Sequence, residues 1–133
     1  MQKLFLLTGT VLGGLSVMIG AFGAHALRTT LAASGRADTF ETAVKYQFYH
    51  ALALILLGVF LFRMEGVPMA SPKLLPYAGY CFIAGVVIFS GSLYILCLTN
   101  VTKWGAVTPI GGLFLIVGWA LWAWAIFAMN NEQ

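Results

Sequence analysis

Two histidines, His25 and His50, are the side chains of this sequence with the widest chemical repertoire. An imidazole changes charge near neutral pH, relays protons and binds metals. Glu41, Lys45, Tyr46 and Gln47 precede His50 on one segment, with Tyr46 one helical turn before it. Ser90, Ser92 and Tyr94 interrupt a later run that is otherwise apolar. Such a set can serve three chemistries. One is a small-molecule, ion or proton pathway in which Glu41 orients or charge-pairs with an imidazole. Another is a haem b held between His25 and His50. The third is plain hydrogen bonding that fixes one segment against its neighbours. Zinc needs further ligands, and the cysteines do not supply them. Cys81 and Cys97 lie sixteen residues apart in one apolar segment with no CxxC motif, about 24 Å of helix. Both read as small core residues, and no metal site is expected. No P-loop, dinucleotide-binding glycine turn or nucleophile elbow occurs, and Ser90-Gly91-Ser92 reads as helix packing. Without a nucleophile–base pair, neither an enzyme nor a resident cofactor is expected.

The elements that must position these residues follow from composition. Of the 133 residues, 61% are hydrophobic and 8% charged, whereas soluble domains run near 25% charged. A soluble fold of this length has no interior large enough for that apolar surface, but lipid accommodates it. Four segments approach the roughly 20 helical residues that cross a bilayer, and the alternating strands of a barrel are absent. The sequence therefore predicts an all-α, polytopic membrane protein: one four-helix antiparallel bundle over residues 1–133, with helices at about 4–27, 39–63, 74–98 and 108–128. Lys3, the apolar run and Ala24-His25-Ala26 also have the outline of a signal peptide; the length of the run favours a first spanning helix. The net charge of +3 is scattered singly at segment ends, which suits interface anchors and topology signals rather than nucleic-acid binding.

Local signals refine the segments. Asp38 and Glu41 have capping-box spacing, so the second helix is expected to begin near Thr39, with Glu41 and Lys45 pairing one turn apart. Thr108-Pro109 reads as the start of the fourth helix. Trp104 at one end of that helix and Trp119, Trp122 and Trp124 towards the other suggest aromatic belts. Gly66, Pro68, Ser71 and Pro72 mark a loop, and residues 28–38 form a polar connection with room for a short interfacial helix.

An even number of helices puts both termini on one side. The opposite side, holding the first and third connections, carries Arg28, Arg36, Lys45 and Lys103; the terminal side carries Lys3, Arg63 and Lys73. That difference and the uncharged-to-acidic tail weakly place the termini in the periplasm. The same topology gathers His25, Glu41, Lys45, Tyr46, Gln47, His50, Ser90, Ser92 and Tyr94 at the connection end, with the two histidines expected at comparable depth. Along the first helix Gly9, Gly13, Ser16, Gly20 and Gly23 form a stripe of small residues. In lipid such a stripe lets helix backbones approach closely; its partner is either another helix of the same chain or another protomer, and self-association or pairing through this glycine-lined face is expected. Gly14 and Gly20 also align with Gly85 and Gly91 at a constant offset, the mark of a decayed repeat.

The blocks GAFGAHAL (Gly20–Leu27), FETAVKYQFYHALAL (Phe40–Leu54), FSGSLY (Phe89–Tyr94) and TPIGGL with a later GW (Thr108–Leu113, Gly118–Trp119) resemble the domain-of-unknown-function 423 family over nearly the whole chain. That resemblance implies four membrane helices and residence in the bacterial inner membrane. It implies no activity and assigns no catalytic residue. The expected partners are the lipid bilayer and either a second copy or another membrane protein.

Overall fold

The computed structural model describes residues 1–66 and 73–130. Pro68, Ser71 and Pro72 of the expected loop, and residues 131–133 of the tail, lie outside the described residues. The helices are α1 (Gln2–Ala24), α2 (Arg28–Ala33), α3 (Ala37–Arg63), α4 (Leu74–Thr99) and α5 (Thr108–Asn130), with a 3-10 turn at Thr102–Ala106. α1, α3, α4 and α5 are long and apolar enough to cross a membrane. The 27 residues of α3 reach about 40 Å at 1.5 Å each, the hydrocarbon core with its headgroup layers. A chain that must satisfy its backbone inside lipid adopts helices for that reason, and the molecule is an all-α polytopic membrane protein.

Two antiparallel hairpins, α1 with α3 and α4 with α5, meet through α3 and α4. In each hairpin, large side chains of one helix sit on small residues of the other. Gly23 receives the Phe40 ring, Gly20 meets Val44, Gly13 meets Ala51, and Gly9 lies against Ala51 and Ile55. Ser16, between them, is buried and donates its hydroxyl to Leu12 O at 2.8 Å. In the second hairpin Phe89 lies over Gly111, Leu115 over Gly85 and Phe82 against Gly118. Phe5 of α1 reaches Gly79 of α4 and stands edge-on to Tyr80. Lipid tails already solvate apolar side chains, so close packing of this kind supplies the attraction between helices. The expectation that the α1 stripe faces a second protomer or partner is thereby corrected: α3 of the same chain occupies it. The aligned glycines do not share a role either. Gly14 and Gly91 meet nothing within 4 Å, while Gly20 and Gly85 are packed.

At the terminal end Phe5, Leu54, Leu57, Leu75 and Phe82 form a fully buried core. A smaller cluster of Leu31, Phe40, Leu96 and Cys97 closes the other end. The boundaries there differ from the sequence reading. α1 stops at Ala24, α2 follows after a three-residue turn, and Gly35, at φ 66°, lets the chain turn into α3. α3 starts at Ala37, so Asp38 lies inside its first turn; no side chain caps the helix. The Asp38 carboxylate still favours the positive end of the helix dipole. Asn100 ends α4 in the left-handed region at φ 56°. Thr108 does open α5, but its hydroxyl donates back to Trp104 O at 3.3 Å.

Candidate functional site

The first half of α3 carries most of the polar side chains, and its helical pitch sends them to three different places. Glu41 and Lys45, one turn apart, form an ion pair of 2.8 Å on the exposed side. With Arg28 they rim a groove of about 720 Å3 bounded by the end of α1, by α2 and by the start of α3. Its floor is Gly20, Gly23, Ala24, Ala32, Phe40 and Val44.

Gln47, 4% exposed, points the other way, into the bundle. Its amide Nε2 donates to Leu12 O of α1 at 3.0 Å, and its Oε1 accepts from the Tyr94 hydroxyl of α4 at 3.0 Å. One side chain thus ties three helices. Ser90 of α4 donates to Ala43 O of α3 at 2.8 Å. The Ser92 hydroxyl lies 2.8 Å from that of Thr108 on α5. A polar group left unpaired in hydrocarbon is costly, so these bonds fix the helices at the one register that makes them all.

His50, one turn beyond Tyr46, is buried between α3, α4 and α5. Its Nδ1 lies 2.8 Å from Tyr46 O, and the indole Nε1 of Trp119 donates to its Nε2 at 3.1 Å. A carbonyl only accepts and an indole N–H only donates. The ring is therefore the neutral tautomer with its proton on Nδ1. The Tyr46 ring stacks on Phe89 with centroids 4.7 Å apart. Phe82 and Trp122 continue the aromatic packing around Trp119.

His25 does not join His50. It is the exposed C-cap residue of α1, its backbone N–H bonded to Ala21 O at 3.1 Å. The expectation of comparable depth is corrected by the α1–α3 register. Gly23 packs on Phe40, which puts His25 level with the first turn of α3; Gly13 packs on Ala51, which puts His50 level with the middle of α1. Asp38 to His50 is about 18 Å of helix rise. The first turns of α3 run alongside the end of α1, with Phe40 on Gly23 and Val44 on Gly20. A haem between the two imidazoles does not fit this geometry, because the rings are at different depths and both nitrogens of His50 are engaged. Nor does the polar set form a continuous relay. Among the described residues, no hydrogen bond links the His50–Trp119 pair to the Gln47–Tyr94 network, and Glu41 and Lys45 pair with each other outside it.

The expectation that Trp119 belongs to an aromatic belt is corrected. The residue lies in the middle of α5, not at an interface belt, and its spacing of one turn from Trp122 gave no sign that its N–H was committed to a histidine. The indole N–H of Trp122 is buried with no hydrogen-bond partner among the described residues. Cys97 is buried with its thiol 3.8 Å from Arg36 O, and Cys81 is half-buried; both are free.

Fold and site together define a small integral membrane protein with four membrane-length helices among its described residues, cross-linked by Gln47, His50, Ser90 and Ser92. The family described as "Protein of unknown function (DUF423)" matches residues 19–112. The chain is 44% identical over 120 residues to the UPF0382 membrane protein SH2409 of Staphylococcus haemolyticus, covering 90% of this chain and 92% of that one. It is 36% identical over 120 residues to the UPF0382 membrane protein YwdK of Bacillus subtilis, covering 90% and 93%. It is 37% identical over 121 residues to the UPF0382 inner membrane protein YgdD of Escherichia coli K12, covering 90% and 86%. No solved structure gives a significant match. The chain belongs to the DUF423 family of uncharacterised membrane proteins, and its place is the bacterial inner membrane.

Proposed function

We propose that the chain is a non-enzymatic accessory protein of the membrane, acting through association with a second copy or with another membrane protein. The hydrogen bonding of the candidate polar side chains supports this reading. Gln47, His50, Ser90, Ser92 and Tyr94 all bond within the chain, and the two buried donors left without a partner, the Trp122 indole N–H and Arg36 Nε, are neither nucleophiles nor bases. The surface left for association is the outward side of the bundle. On α1 it holds exposed Val11, Val17 and Gly14, where nothing packs within 4 Å.

Reconstitution tests the reading. Liposomes containing the protein should hold an imposed pH gradient as long as empty ones, and cross-linking in native membranes should trap a discrete larger species. Gly14→Leu should remove that species while leaving the monomer folded. Gradient collapse, or a protein that stays monomeric and unpartnered in its native membrane, overturns it.

In the same reading both termini face the periplasm, and α2 with the 3-10 turn faces the cytoplasm. Four Lys or Arg on that side against three on the other support this. With Cys81 and Cys97 replaced by Ala, a Ser34→Cys probe should react with an impermeant maleimide only after the inner membrane is opened. Labelling in intact spheroplasts reverses the orientation.

A further inference from the structure

The groove beside the α1–α2 turn has a use that goes beyond accessory association. Its floor is apolar: Gly20, Ala24 and Ala32 project little into it, and Leu31, Phe40 and Val44 line the rest. Its rim holds two cations, Arg28 and Lys45, against one acid, Glu41. Arg28 is exposed and makes no ion pair among the described residues. Depth matters as much as charge. Val44 packs on Gly20, so Lys45 sits one turn inside the end of α1, while Arg28 lies just beyond that end. The two cations therefore stand at different heights, one just inside the α1 end and one just beyond it, the level at which a spanning helix meets the headgroup layer.

We infer that this groove binds an anionic phospholipid. The phosphate is held between Arg28 and Lys45, and an acyl chain lies along Gly20, Ala24 and Val44. A soluble anion has no use for the apolar floor, and an apolar helix has no use for the rim. Glu41 weakens the site by taking up part of the Lys45 charge. Basic pockets between transmembrane helices recognise acidic headgroups in this way, each cation changing affinity by about fivefold.

The test is lipid retention by the full-length protein, purified in a neutral detergent and offered equal amounts of phosphatidylglycerol and phosphatidylcholine, with bound lipid read by native mass spectrometry. Phosphatidylglycerol should be retained preferentially. Arg28→Gln and Lys45→Gln should each lower that preference about fivefold, and Glu41→Gln, which frees Lys45, should raise it. Lys103→Gln, an exposed cation on the same side but outside the groove, should leave it unchanged within about twofold, well short of a groove cation's effect. Inorganic phosphate at millimolar concentration should not displace the lipid. Equal retention of the two lipids, an equal effect of Lys103→Gln, a fall with Glu41→Gln, or displacement by phosphate each overturns the proposal. Unchanged melting curves for the three glutamine variants of groove residues separate loss of binding from loss of fold.

Discussion

Trp119 of α5 donates its indole hydrogen to Nε2 of His50 on α3, 3.1 Å away, near the middle of both helices. α3 and α5 belong to different hairpins, so this bond locks one hairpin against the other at a fixed depth. The imidazole can accept it only because Tyr46 O holds its proton on Nδ1. The histidine is thus turned into an acceptor by its own helix and used by the next hairpin.

Replacing Trp119 with Phe keeps an aromatic ring against Phe82 but leaves His50 Nε2 without a donor. The expected loss is about 0.5–1.5 kcal/mol, the range of interhelical hydrogen bonds in bilayers. Reversible unfolding in mixed micelles reads it directly. An unchanged unfolding midpoint means that the bond contributes nothing to the fold.

Gln47 and Tyr94 share one hydrogen bond, while Gln47 holds a second to Leu12 O. Gln47→Leu and Tyr94→Phe should therefore each destabilise, and the double variant should lose less than the two together. A coupling of about 0.5–2 kcal/mol is expected in a double-mutant cycle. Strict additivity contradicts a shared bond.

The α1–α3 seam gives a graded test. A Cβ on Gly9 would lie 2.7 Å from Ala51 O, a backbone atom that cannot swing aside, whereas a Cβ on Gly13 would lie 3.8 Å from Ala51 Cβ, an ordinary contact. Gly9→Ala should cost about 1–3 kcal/mol by forcing the helices apart, and Gly13→Ala should be near neutral. Equal effects at the two positions are incompatible with this packing.

Four spans and the small-residue stripe were legible in the sequence because lipid allows so few solutions. Long apolar runs must be helices there, and glycines repeating every three or four residues must share a face. The partner of that face was not legible, since periodicity says which residues align but not what lies opposite them. Depth failed for a related reason. The capping signal puts the start of α3 within two residues of Ala37 but does not say which part of α1 lies beside it, and Phe40 packs on Gly23. That register sets His50 beside the middle of α1 and away from His25. Trp119 has the look of a belt residue because indole is common at interfaces; only the α3–α5 contact reveals its mid-helix role. Glu41 and Lys45 pair as their spacing suggests, but a pair set outside the bundle tells nothing about the buried network.

That pair should matter little to folding. Both side chains are more than half exposed, and ion pairs in that setting contribute close to nothing measurable. Glu41→Gln in neutral detergent should leave the melting midpoint where it is. A clear drop shows that the pair anchors α3, and the groove it rims is then part of the fold's support.

Gln47, His50, Ser90 and Ser92 fasten helices to one another, and neither nitrogen of His50 is left free for transport or ligation. The most direct measurement is the nitrogen-15 spectrum of His50 in lipid bilayers at neutral pH, with His25→Gln removing the second histidine signal. The ring should be neutral and protonated at Nδ1, with Nε2 accepting a hydrogen bond that disappears in Trp119→Phe. A ring protonated at Nε2, an imidazolium, or a spectrum indifferent to Trp119 contradicts it.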